Sequence, residues 1–224
     1  MTLSRPQLLR ATIAVTACSL VLSAPAHADK ASKRACLKAA NVKTASVGRQ
    51  NATTVVFTRR AQDGTRRFYG CVFAQGKVRR LVALDGGERY RLAGTFVAYV
   101  YTGSAIGDES DKIGVLDVRT GRARRIAHLE PGSEGAVDEI DNGGTISAYA
   151  VAANGNLVWL VTRRESAGDD TDLELRVADG RPPRERIADR GAIDATSVKL
   201  AADGRSVRYS RGGTAQRADL SSAR

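Results

Sequence analysis

Histidine, sulfur, aromatic rings and long apolar runs are all scarce in this chain. Of 224 residues two are His, three Cys, one Met and one Trp, and aromatics make up 5%. His27 falls in a leader segment, which leaves His128, in Ile126-Ala-His-Leu129, with no serine beside it. A Ser-His-acid triad is argued from roles around a histidine, and a zinc site needs several nitrogen or sulfur ligands, so neither is indicated. The motifs G-x-S-x-G, P-loop and H-E-x-x-H are also missing, and no cofactor is implied. No stretch reaches the ~20 apolar residues that span a bilayer. The most apolar region, Ile146 to Val161, is broken by Asn154-Gly155-Asn156, so the mature chain is expected to have no transmembrane segment.

What is present begins with an export signal. Arg5 and Arg10 form a basic start without acids, Ala11 to Leu22 carry no charge, and Ala26-His27-Ala28 is a small-x-small cleavage pattern. Residues 1–28 read as a signal peptide, with cleavage between Ala28 and Asp29. A competing reading takes Val15-Thr-Ala-Cys18 as a lipobox, with Cys18 acylated. Leu20-Val-Leu22 remain apolar after it, where a lipoprotein normally turns polar. The expected location is secreted, periplasmic or on the envelope exterior.

Residues 29–224 are about 200 residues, enough for one domain with its own core. Cys36 and Cys71 are the only cysteines left, an even count in an oxidising compartment, and are expected to form a disulfide. It would tie an N-terminal segment, 29–42, to a β domain, 43–224.

Within that domain the apolar period is two, interrupted by Gly, Asn and Asp turns. Four segments share an aliphatic-x-aromatic signature: Val55-Val-Phe57, Val97-Ala-Tyr99, Leu157-Val-Trp159 and Val207-Arg-Tyr209. Each has a strand-like segment before it and another after a polar loop. The first three units end in a basic strand: Val78-Arg-Arg-Leu81, Ala123-Arg-Arg-Ile126 and Arg184-Glu-Arg-Ile187. The last unit lacks one. A repeated four-stranded meander cannot bury both its faces alone, and stacked sheets can. In Phe96-Val-Ala-Tyr-Val-Tyr101 and Leu157-Val-Trp-Leu-Val161 both parities are apolar, as a strand sandwiched between sheets requires.

The run from Gly94-Thr-Phe-Val-Ala-Tyr-Val through Ile113-Gly-Val-Leu-Asp-Val-Arg-Thr-Gly-Arg-Ala-Arg-Arg-Ile126 resembles a WD-like blade of bacterial Tol-type exported propellers. The resemblance covers about residues 43–220. It implies an all-β, propeller-like stack of about four antiparallel four-stranded blades, closed or partly open, after an N-terminal signal helix. Such folds serve mostly as interaction scaffolds, and fold alone does not set function.

Two charge patterns are candidates for chemistry. Gly107-Asp-Glu-Ser-Asp111 and Gly168-Asp-Asp-Thr-Asp172 hold matching places between second and third strands, so Asp108, Asp111, Asp169, Asp170 and Asp172 are candidate acidic-loop residues. They suit calcium or a glycosidic carboxylate pair, but lack calcium-hand spacing; the plainer reading is solvated loop tips. The other pattern is arginine: 28 Arg against 7 Lys at net +11, with pairs at strand ends. Guanidinium forks hold carboxylates and phosphates. Charge on edge strands also prevents sheets from pairing with each other. Export removes nucleic acid as a partner. The leading expectation is a non-enzymatic exported module that binds a protein or an anionic envelope polymer. The alternative is a carbohydrate-active hydrolase or lyase using loop carboxylates.

Overall fold

The computed structural model describes residues 30–41, 45–85, 89–105, 108–127, 145–164, 171–180 and 184–221. The expected signal segment 1–28, which includes Cys18 and Ala28, and Asp29, His128, Asp169 and Asp170 lie outside the described residues.

Four antiparallel meanders follow one another along the chain. The first is β1 (Ala45–Gln50), β2 (Thr54–Arg60), β3 (Arg66–Val72) and β4 (Lys77–Arg80). The second is β5 (Arg89–Ala93), β6 (Phe96–Ala105), β7 (Asp108–Asp117) and β8 (Arg122–Ala127). The third is β9 (Thr145–Val151), β10 (Leu157–Arg164), β11 (Thr171–Asp179) and β12 (Arg184–Gly191). The fourth has three strands: β13 (Lys199–Leu200), β14 (Ser206–Arg211) and β15 (Thr214–Asp219). In all four the strand order in space equals the order in sequence, so every connection is a hairpin.

The cores lie between consecutive sheets, and strand alternation decides which residue enters which core. Val56, Leu81 and Leu84 meet Val97, Tyr99 and Leu116 between the first and second sheets. Ala98, Val100, Ile113 and Val115 meet Ile146, Leu157, Trp159 and Val161 between the second and third. From the other face of β10, Val158 and Leu160 meet Val207, Tyr209 and Leu220. Strands β6 and β10 are therefore apolar on both faces because each faces a sheet on either side. This face-to-face arrangement of small meanders is a propeller-like stack.

Among the described residues, no sheet packs on the other face of the first sheet. Helix α1 (Lys30–Ala40) covers it instead, burying Cys36 and Ala40 against Val55, Phe57, Cys71 and Phe73. Residues 30–41 thus cap the first unit. Cys36 and Cys71 are disulfide-bonded, with Cα atoms 5.6 Å apart. Arg59 lies over Phe57 and Tyr69, 5.1 and 5.2 Å from their ring centroids, and donates to Ala39 O at 2.7 Å, which fastens the helix end.

The turns before the aromatic strands also link the sheets. Asn51 Nδ2 donates to Gly94 O at 2.9 Å, and Asn156 Nδ2 donates to Gly204 O at 2.9 Å. Gly204 has φ +65°, and a Cβ there would stand 2.6 Å from Ala152 Cβ, so this turn requires glycine.

Candidate anion-binding hollow

The first strands of the first three sheets and the segment before β13 gather around one hollow of about 690 Å³. Its wall comprises Gly48 and Arg49 from β1, Arg89, Tyr90 and Arg91 from β5, and Ser147, Ala148 and Tyr149 from β9. Ala195 and Val198, just before β13, complete it.

Register explains how the side chains reach it. In β5, Arg89 and Arg91 pair with Val100 and Ala98, whose side chains enter the core facing the third sheet. Tyr90, between them, pairs with Tyr99 and faces the first sheet, where its ring meets Phe68 edge-on at 5.7 Å. In β9, Tyr149 pairs with Trp159 and so faces the second sheet. Arg91 lies over the Tyr149 ring, 5.6 Å from its centroid.

Arg49 arrives by a bulge. Val47 pairs with Phe57 and Arg49 with Val56, leaving Gly48 as the extra residue. Without the bulge Arg49 would share the face of Val47, toward α1; with it, Arg49 takes the face of Val56, toward the second sheet. Gly48 is required by space: a Cβ there would stand 1.8 Å from Tyr90 Oη. Strand β9 has the corresponding irregularity at Ser147, between Leu160↔Ala148 and Val161↔Ile146.

The three guanidinium groups are held differently. Arg89 donates to Asp111 Oδ2 at 3.1 Å and to Ile146 O at 3.2 Å, and Ile146 N donates to the same carboxylate oxygen at 2.9 Å. Asp111 is buried, so this clamp binds the second sheet to the edge of the third. Arg49 and Arg91 are exposed and have no acidic partner among the described residues. The Tyr149 hydroxyl is buried and, among the described residues, without a hydrogen-bond partner. Burial pushes the Tyr149 phenol up, against the pull of Arg91, Arg89 and Arg49; burial likewise pushes Tyr90 up, against Arg49.

The acidic candidates have a different fate from the one expected. Asp108, Asp111 and Asp172 stand in strands rather than loops, because the hairpin arms extend far enough for Asp111 to pair with Thr102 and Asp172 with Arg163. Asp111 is neither a solvated tip nor a free acid; it is the buried partner of Arg89. Of Asp108 and Asp172 only the backbone is described. No acidic side chain lines the hollow among the described residues, and none of their His, Cys, Asp and Glu residues group in threes that could hold a metal.

The site residues Arg49, Arg89, Tyr90, Arg91 and Tyr149 were not legible as a site from adjacent arginine pairs, which sit on β2, β3, β4, β8 and β10 and not on the first strands. The available signal was the alternation Arg89-Tyr-Arg91 in a first strand, with Arg49 and Tyr149 in the matching strands of neighbouring units.

No protein-family model matches the sequence, and neither does any curated protein. Among solved structures, the chain is similar to TolB from Acinetobacter baumannii at 16% identity and a TM-score of 0.37, covering 71% of this chain and 35% of that one. It is also similar to the GH74 xyloglucanase from Xanthomonas campestris at 14% identity and a TM-score of 0.42, covering 76% and 26%. The chain spans about a third and a quarter of their lengths.

Proposed function

We propose that this chain is an exported, non-enzymatic binding module of the cell envelope or exterior that takes an anionic partner, an envelope polymer or an acidic protein segment, into the hollow between its sheets. The observation that carries this reading is the pair Arg49 and Arg91: two guanidinium groups with no acid beside them among the described residues, both in the wall of one concavity. Guanidinium forks in a recess favour carboxylate or phosphate oxygens. The hydrolase alternative needs two carboxylates facing one cleft, and the wall described here offers none.

Export is supported by the leader of residues 1–28 and by the disulfide, which suits an oxidising compartment. No helix among the described residues is long and apolar enough to cross a membrane. The test is equilibrium binding of residues 29–224 to polyaspartate, to a uronic-acid polymer and to neutral dextran. Both polyanions are expected to bind with an affinity that falls as salt rises, and dextran not to bind. Equal binding of dextran, or no binding of either polyanion, would refute the reading.

A further inference from the structure

Resting on the reading of the hollow as an anion site, we infer that the group it takes is a phosphate monoester, held by Arg49 and Arg91 with the Tyr149 hydroxyl donating to one of its oxygens. Three observations lead there. The first is charge. Arg89 is already neutralised by Asp111 at 3.1 Å, whereas Arg49 and Arg91 have no acidic partner among the described residues. The uncompensated charge at the wall is that of two guanidinium groups, which matches a phosphate monoester at about −1.5 to −2 near neutral pH rather than a carboxylate at −1.

The second is direction. Arg49 comes from the first sheet, Arg91 from the second and Tyr149 from the third. A carboxylate presents two oxygens in one plane, whereas a phosphate monoester presents three that diverge. Donors converging from three sheets suit a group with three terminal oxygens. The third is the unused donor. The Tyr149 hydroxyl is buried and has no hydrogen-bond partner among the described residues. A buried polar group without a partner is costly, and a ligand oxygen would relieve it. Arg91 above the ring places a guanidinium beside that hydroxyl's ring.

The test is titration calorimetry of residues 29–224 with inorganic phosphate, glycerol 3-phosphate and acetate at matched ionic strength, with vesicles containing phosphatidic acid as a separate arm. The phosphates are expected to bind at least about tenfold more tightly than acetate. Their affinity should fall between about pH 7.5 and 5.5, as the second phosphate proton returns. Arg49→Gln with Arg91→Gln should abolish the preference. Tyr149→Phe, which keeps the ring, should weaken phosphate severalfold and leave acetate unchanged, with circular dichroism confirming the fold of each variant. Binding of glycerol 3-phosphate assigns the ester to a soluble or polymer-borne group, and binding of the vesicles alone assigns it to a lipid headgroup. Acetate binding as tightly as phosphate, or phosphate binding that survives the double arginine change, overturns the inference. If polyaspartate binds the hollow and phosphate shows no preference over acetate, the phosphate assignment fails and the anion reading stands. If no anion binds, both fail.

Discussion

Asp111 and Arg89 join the second sheet to the third. One oxygen of the Asp111 carboxylate accepts from Arg89 at 3.1 Å and from Ile146 N at 2.9 Å, while Arg89 also reaches Ile146 O. Removing the charge of Asp111 leaves a backbone acceptor but frees Arg89. Breaking a fully buried pair costs ~3–5 kcal/mol. Arg89 is about half exposed, so solvent screening brings the expectation for Asp111→Asn down to about 1–2 kcal/mol. Urea unfolding measures it. A second consequence is a hollow with one more free cation, so polyanion affinity should rise while stability falls.

Gly48 is a position where any side chain must displace the wall of the site. Gly48→Ala would put a methyl 1.8 Å from Tyr90 Oη. The tyrosine ring is rigid and wedged against Phe68, so the expected cost is about 1–3 kcal/mol, as for other overpacked sites. The pair Gly48→Ala with Tyr90→Phe removes the clashing hydroxyl and should recover most of that loss. A double-mutant cycle by thermal unfolding checks the coupling.

Tyr209 predicts an alkaline limit. Its hydroxyl donates to Asp189 Oδ2 at 2.8 Å, and Arg211 donates to the other oxygen of Asp189 at 2.6 Å. Burial first, then the bond to Asp189, pushes the phenol up to about 12 from 10.0. The folded value exceeds the unfolded one, so the stabilisation is complete below about pH 10 and is lost as pH rises through about 12. Denaturation midpoints should fall over that window in the wild type and fall less in Tyr209→Phe.

Trp159 anchors the core between the second and third sheets and is fully buried. Trp159→Ala should cost ~3–5 kcal/mol. A whole domain holds only ~5–15 kcal/mol, so the variant is expected to melt far below the wild type or fail to fold. Trp159→Phe, which keeps most of the volume, should fold with a smaller loss.

The stacked meanders were readable because each inter-sheet core writes itself into sequence as a parity. Leu157, Trp159 and Val161 serve one core and Val158 and Leu160 the next. The disulfide was readable from an even cysteine count in a chain whose leader reads as an export signal. The hollow was not, and the reason is geometric. Arg49 points toward the second sheet only because of a bulge at Gly48, and a one-residue register change has no compositional signature. Asp111 misled for a related reason: an acid-rich run between strands reads as a loop, yet the β6–β7 hairpin continues through it. The helical cap over the first sheet was also invisible as a helix, since Lys30–Ala40 is short, and only Cys36, Leu37, Ala39 and Ala40 mark its inner side.

The proposed site places anion binding in the hollow and not on the arginine-rich chain at large. The most direct measurement compares the salt dependence of polyaspartate binding in three proteins. These are the wild type, Arg49→Gln with Arg91→Gln at the hollow, and Arg122→Gln with Arg184→Gln on the outer strands β8 and β12. All four arginines are exposed, and both variants lose the same charge. If the hollow is the site, the hollow variant should lose most of its affinity, and its log K against log salt slope should drop by about 2, one for each cation removed. The outer-strand variant should keep the wild-type slope. Equal losses in the two variants would refute the hollow as the site, because binding would then follow net charge alone.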